Sequence, residues 1–340
     1  TLRAVKRNER RTHFNLDLLQ NIRLSLEAGE QAILFQNRRG YAPYIQCRTC
    51  GYSPRCPHCN VTLTRHKASD RMECHYCGYT MPTPQVCPNC EVQDMALMGF
   101  GTEKVVEEIS RLMPEARIER LDSDTSTSER AFKQIVHRFE SGEADILVGT
   151  QILTKGFDFG GVTTVGILNA DNLLFSPDFR ASERAFQLLM QVAGRAGRRE
   201  REGVVIIQTS EPENRVLKQV VQGDYEAMAR CELQERHAFG YPPYSRLIRL
   251  TLRHENVQLL RGAATELVAK LRKSFGSRIF GPVAPTIDRI RGLHILQIMI
   301  KIESGRSMAR ARQFLLNDIN SIESQKEYKT VNIAIDVDAQ

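Results

Sequence analysis

Four Cys-x-x-Cys pairs, Cys47/Cys50, Cys56/Cys59, Cys74/Cys77 and Cys87/Cys90, fall within residues 47–90 and limit what this chain can fold into more than any other feature. Each pair closes a tight turn that aims two thiolates at one ion. Two such turns complete a tetrahedral site with four sulfur ligands. Eight ligands therefore predict two structural Zn2+ ions in a reducing compartment, rather than disulfides. A full thiolate shell leaves no position for a reactive water, so the zinc is expected to hold the fold and not to catalyse. Nesting the pairs gives Cys47, Cys50, Cys87 and Cys90 as site one and Cys56, Cys59, Cys74 and Cys77 as site two. It also brings the block's two ends together, as an insertion requires. Sequential pairing would force the short 51–55 segment to present two knuckles face to face; spacing alone leaves both arrangements open. His58, His66 and His75 are alternative ligands that eight cysteines make unnecessary. The remaining cysteine, Cys231, lies on a helical pattern and reads as a small core residue.

Around this block the chain alternates. Phe14, Leu16, Leu18, Leu19, Ile22 and Leu26 predict a helix that ends at Gly29, and AILFQ (32–36) a buried strand. After the block, GTEKVVEEISRLM reads as a helix and RIERL as a strand. Ser126 and Glu129 form a capping-box pattern before the next helix. The strands DILVG and TTVGIL follow, then a helix through Ala185, Leu188, Leu189 and Val192, then the strand VVIIQ. Strands alternating with helices predict a parallel α/β sheet. A composition break near 222–245 separates a pattern of strand 247–253, helix 257–275, strands 279–283 and 294–302, helix 307–322 and strand 331–337. That is a split βαββαβ domain. The expected divisions are a basic arm (1–12), a lobe in two parts (13–44 and 95–222), the zinc insertion (45–94) and the C-terminal domain (223–340). No internal repeat is apparent.

At 340 residues, 41% hydrophobic and 26% charged, the composition is that of an ordinary globular protein with two or three domains. No apolar run approaches the roughly 20 residues of a membrane span, and no signal segment opens the chain. It begins at Thr1 rather than Met, so a segment upstream is expected. A net charge of +7 permits nucleic-acid binding without requiring it. The basic clusters at 3–11, Arg38-Arg39, 195–201, Arg289/Arg291 and 306–312 are the places to look.

No G-x-x-x-x-G-K-[ST] and no Asp-Glu dipeptide occur, so the phosphate-cradling half of a nucleotide site is missing. VGILNAD, ending at Asp171, reads as an ordinary buried strand, and the lone G-x-G of GFGTEK is weak. Three other segments carry more. NRRGYAP (37–43), ILVGTQILTKGFDF (146–159) and QLLMQVAGRAGR (187–198), in this order, resemble motifs IV, V and VI of the second RecA-like lobe of superfamily 2 helicases. Eight cysteines inserted after the first of them narrow the resemblance to the PriA-like, primosomal replication-restart helicases.

The resemblance implies a RecA-like second helicase lobe, interrupted by a two-zinc module and followed by a small α+β domain. ATP and Mg2+ would be held by a first lobe that this chain lacks, so the chain alone is expected to have no ATPase activity. Arg198 then matches the arginine finger, with Arg195 its neighbour and Gln191 orienting groups at the nucleotide. Asp158 and Gly156 match motif V positions on the nucleotide side, while Thr150 and Lys155 match positions near the DNA backbone. Thr102, at a helix N-terminus, is a further phosphate contact or simply a cap. Arg289 and Arg291 are candidate contacts to branched DNA. The implied activity of the whole protein is ATP-dependent 3′-to-5′ unwinding at stalled forks with primosome assembly. Its implied partners are single-stranded and forked DNA, single-stranded DNA-binding protein and primosome proteins, in a bacterial cytoplasm beside the nucleoid. The competing readings are a non-catalytic zinc-ribbon nucleic-acid-binding module and a cysteine-rich adaptor.

Overall fold

A computed structural model describes residues 2–6, 13–37, 44–59, 61–66, 70–74, 76–97, 102–122, 125–126, 128–154, 159–197 and 202–338. The elements up to the second lobe segment are β1 (Leu2–Lys6), α1 (Leu16–Glu27), β2 (Gln31–Phe35), β3 (Ile45–Cys47), β4 (Thr64–His66), β5 (Arg71–Glu73), β6 (Thr80–Pro82) and β7 (Met95–Leu97). Next come α2 (Thr102–Leu112), β8 (Ile118–Leu121), α3 (Glu129–Glu140), β9 (Ile146–Gly149), β10 (Val162–Ile167), α4 (Asp171–Leu174), α5 (Ala181–Ala193), β11 (Val204–Thr209), α6 (Arg215–Gln222) and α7 (Tyr225–Phe239). The chain ends with β12 (Ser245–His254), α8 (Val257–Phe275), β13 (Ile279–Val283), β14 (Arg289–Ile290), β15 (Leu293–Glu303), α9 (Met308–Glu323) and β16 (Asn332–Val337). Contacts divide the chain into two compact units. The first comprises Thr1–Ser53, Pro84–Ser176 and Arg180–Arg230; the second comprises Pro54–Thr83, Pro177–Phe179 and Cys231–Gln340.

The first unit is built on a parallel sheet in the order β1-β11-β10-β2-β9-β8. Its inner strands are apolar on both faces because both faces are covered. Ile33, Phe35, Leu147, Val165, Ile167, Val205 and Ile207 pack with α3, α5 and α6 on one side. Ala32, Leu34, Ile146, Val148 and Ile206 pack with α1 and α2 on the other. Each fully buried aliphatic or aromatic side chain here contributes about 1.5–3 kcal/mol. The result is a three-layer α/β/α lobe, as the alternation predicts.

Two local expectations change. Residues 2–6, part of the stretch read as a basic arm, form the edge strand β1, paired in parallel with β11 from Leu2↔Val205 to Lys6↔Thr209. Leu2 and Val5 pack into opposite cores; the basic residues between and after them hide a short alternation. The cap of α3 is Ser128, whose side chain accepts from the Ala131 N–H, rather than Ser126. The Ser126 hydroxyl instead donates to the Asp122 carbonyl, which takes it out of reach of the helix.

In the second unit, β13-β15-β12-β16 form an antiparallel sheet. Alternate residues of β12, Ile248, Leu250 and Leu252, share one core with α8 and α9. This is the βαββαβ domain, with every predicted element in place and β14 added as a short hairpin arm on β15. Leu247 and Met299 contribute to a second, smaller cluster with Tyr241, against which Tyr76, Phe179, Phe239 and Phe280 pack. Among the described residues no helix is long and apolar enough to cross a membrane.

Candidate metal centres and helicase-motif edges

All four Cys-x-x-Cys turns share one backbone bond. In each, the N–H of the first cysteine donates to the carbonyl five residues on: Cys47 to Tyr52, Cys56 to Val61, Cys74 to Tyr79 and Cys87 to Val92. A return bond runs from Gly51 to Cys47, from Gly78 to Cys74 and from Glu91 to Cys87. That bond needs a left-handed residue, and Gly51 and Gly78 both sit at φ 79° while Glu91 sits at 58°. The repeat escapes sequence inspection because only the cysteines recur.

The eight sulfurs gather into two groups, Cys47/Cys50/Cys87/Cys90 and Cys56/Cys59/Cys74/Cys77, each with its Sγ atoms within 4.8 Å of one another. The grouping is the nested one. Cys47–Cys90, Cys50–Cys87 and Cys56–Cys77 stand 3.6 Å apart. A disulfide requires about 2.05 Å. Four sulfurs at about 2.3 Å from a central zinc would stand about 3.8 Å apart, so the spacing fits a tetrahedral ion. Protonation points the same way. In the inner group, hydrogen bonds from Cys59 and Cys74 pull Cys56 down, while sharing with Cys56 pushes Cys59 and Cys74 up. Metal binding displaces such shared protons from thiol ligands. In the outer group, burial pushes Cys50 up, but the Asn89 amide and the Tyr52 N–H outweigh it and bring the thiol to about 7. Asn89 donates its side-chain amide to Cys50 Sγ at 3.5 Å and its backbone N–H to Cys87 Sγ at 3.4 Å. Among the described residues no histidine joins either group, and His58 is exposed.

The helicase-like motifs occupy opposite edges of the parallel sheet. At the carboxyl edge, the row Ile207, Ile167, Phe35, Gly149, Leu121 is followed one residue on by Gln208, Leu168, Gln36, Thr150 and Asp122. The apolar core gives way there to buried polar side chains. β2, which precedes NRRGYAP, and β9, which opens the motif V segment, end at this edge, the one where α/β sheets bind ligands. Thr150 is nearly fully buried, and its N–H donates to the Leu121 carbonyl. Thr102 is fully buried and donates its hydroxyl to Asp122 at 2.5 Å, so it ties α2 to β8 instead of facing solvent. Asp171 is also fully buried and accepts from the Thr209 hydroxyl and from the Ser210 N–H and hydroxyl. It joins the ends of β10 and β11, consistent with a structural reading of VGILNAD. Sequence reading missed Asn169, which is buried beside it and, among the described residues, has no hydrogen-bond partner for either side-chain amide atom.

At the amino edge the chain enters β10 at Val162, just beyond the motif V segment, and the motif VI turn comes to meet it. α5 ends at Ala193, and the turn Gly194–Gly197 follows. The Gly197 N–H donates to the Val162 carbonyl at 3.1 Å. Gly203 closes the return: a Cβ there would stand 2.4 Å from the Gly197 nitrogen and 2.5 Å from the Ala196 carbonyl carbon, so only glycine fits. Gln191 is exposed on α5, and Arg195 is half-buried in the turn. Arg198, Asp158, Gly156 and Lys155 lie outside the described residues. In the second unit, Arg289 and Arg291 are exposed on the β14–β15 hairpin, where Arg291 adopts φ 50° and the Arg289 guanidinium donates to the Gly292 carbonyl.

Comparison with known proteins finds three family matches along the chain. Residues 89–200 match the helicase conserved C-terminal domain, 56–82 the PriA DNA helicase Cys-rich region domain, and 237–340 the primosomal protein N C-terminal domain. The replication restart protein PriA of Bacillus subtilis is 39% identical over 338 residues, covering 99% of this chain and 42% of that protein. The replication restart protein PriA of Treponema pallidum is 41% identical over 301 residues, covering 88% of this chain and 46% of that protein. That of Haemophilus influenzae is 34% identical over 327 residues, covering 95% and 44%. The chain thus spans less than half the length of these relatives.

Proposed function

The chain belongs to the PriA family of replication restart proteins, and from that premise we propose that it supplies the second ATPase lobe, a two-zinc module and the C-terminal domain of an ATP-dependent 3′-to-5′ DNA helicase acting at stalled or branched forks. The observation that carries this reading is the bond from Gly197 to Val162. It brings the motif VI turn to the start of β10, just beyond the motif V segment. Arg195 and Gln191, and with them Arg198, Asp158 and Gly156, are assigned to the nucleotide. The first lobe, in the remainder of the protein, would hold the triphosphate and Mg2+. The arginines reach the charge that develops on the transferred phosphoryl group.

DNA is assigned to the carboxyl edge and the hairpin. Lys155 offers a cation to the backbone of the strand, and Thr150 and Thr102 hold that edge in shape. Arg289 and Arg291 meet a duplex arm of the fork without reading its sequence. The two tetrathiolate groups hold structural Zn2+, whose role is to fix the insertion as a rigid dock or wedge. Single-stranded DNA-binding protein and primosome proteins are the proposed protein partners.

The test uses the longer protein. Arg198→Ala should lower DNA-stimulated ATPase by about 10³–10⁵-fold and leave fork binding intact. An unchanged rate would sink the finger assignment. ATP turnover by the 340-residue chain alone would overturn the division of the site between two lobes.

A further inference from the structure

The inner cysteine group belongs to the same compact unit as the C-terminal domain, and that domain brings two polar side chains there, Tyr241 bonded to the Cys59 turn and Lys301 seated on the Tyr241 ring. Tyr241 is nearly fully buried, and its hydroxyl donates to the Cys59 carbonyl at 3.0 Å. The Phe179 ring stacks on Tyr241 with centroids 4.4 Å apart and planes within 4°. That leaves the other face to Lys301, whose ammonium stands 3.7 Å from the ring centroid. The ammonium also donates to the Phe239 carbonyl at 2.8 Å and lies 5.2 Å from the Phe280 ring centroid. Among the described residues no carboxylate forms an ion pair with it.

An ammonium held among aromatic rings with no carboxylate partner is costly unless another negative charge compensates it. Burial pushes Lys301 below its ordinary value, and Cys59, Cys77, Cys74 and Cys56 push it back up. A divalent ion with four thiolates keeps a net negative charge, which itself needs a counter-charge when buried. The two requirements answer each other.

We propose that Lys301 and Tyr241 form the outer shell of the inner tetrathiolate site, Lys301 as counter-charge and Tyr241 as the group that fixes the Cys59 turn. They are positioning residues for the metal, contributed by the C-terminal domain, and the outer cysteine group does not depend on them. The inference rests on the zinc reading above.

The test is zinc retention by the purified chain against a graded chelator, with cysteine alkylation mapped by mass spectrometry. Outer-shell partners of metal ligands are typically worth about 10–100-fold in affinity. Lys301→Met and Tyr241→Phe should each weaken zinc retention by about tenfold and speed alkylation of Cys56, Cys59, Cys74 and Cys77 accordingly. Cys47, Cys50, Cys87 and Cys90 should keep their wild-type rates, and Lys301→Arg should restore most of the loss. Equal acceleration of both groups, or of neither, would overturn the proposal. So would Lys301→Arg behaving like Lys301→Met, which would reduce the effect to packing. If Lys301→Met fails to fold by circular dichroism, Tyr241→Phe, which keeps the ring stack, decides alone. A wild-type chain that binds no zinc at the inner group would instead refute the zinc reading, and that is measured before any variant is made.

Discussion

The two cysteine groups share a ligand set and a turn geometry, yet they are held by different means. The outer group is closed by the short β3–β7 pair, which runs from Ile45↔Leu97 to Cys47↔Met95. Its sulfurs receive bonds from Asn89, a residue inside the outer group's own second Cys-x-x-Cys turn. The inner group carries a three-stranded β4-β5-β6 sheet and sits in one unit with an aromatic cluster that includes residues more than a hundred positions away. Cys50 and Cys90 are half-exposed in the outer group; in the inner group only Cys77 is. Identical local chemistry is therefore compatible with a self-contained site and with a site that borrows its surroundings.

Three measurements would break or sharpen that contrast, beginning with the largest effect. Cys74→Ser removes a fully buried inner ligand. Structural zinc in finger peptides is worth about 10–16 kcal/mol of apparent binding energy, so this variant should lose the inner ion and the order of β4–β6. Metal analysis should fall from two zinc ions to one per chain, with the outer thiols still protected; loss of both ions would show that the groups fold as one. Next, in the wild-type chain under mild chelation, Cys50 and Cys90 should be alkylated about tenfold faster than Cys56 and Cys59, in the direction that burial of the two groups predicts. The reverse order would mean that exposure does not govern access. The smallest effect belongs to Asn89→Ala. It removes one amide–sulfur bond at the outer group, and second-shell losses of this kind fall near the lower end of the about 10–100-fold range. Chelator competition should register it at the outer site only; a change at the inner site would end the idea of a self-contained outer group.

Much of the fold was legible because it is periodic or local. Alternation of strand and helix patterns reports which faces are covered, and the αβ order reports a parallel sheet. The βαββαβ domain was readable almost to its element ends for the same reason. The candidate site was half legible. Motif VI stands out as a run of glycines and arginines, but Gly203 does not, since its need for glycine arises from close approach to Ala196 and Gly197. Thr102 looked like a phosphate contact at a helix N-terminus. It is occupied by Asp122, twenty residues on, a partner that no local pattern indicates. β1 was hidden because an edge strand of five residues carries too little alternation to stand out among basic neighbours.

What the sequence determined by itself is the chemistry of short range: knuckles that aim thiolates, strands that must be covered on both faces, and a motif set that resembles a second helicase lobe. What only the tertiary structure decided is which distant groups face one another. It selected the nested cysteine groups, bonded the motif VI turn to the start of β10 through Gly197 and Val162, and placed Tyr241 on the Cys59 turn with Lys301 on the Tyr241 ring. Spacing in sequence limits the pairs that can meet within one turn or ladder. Across a hundred residues or more, only the packing of completed elements chooses among them.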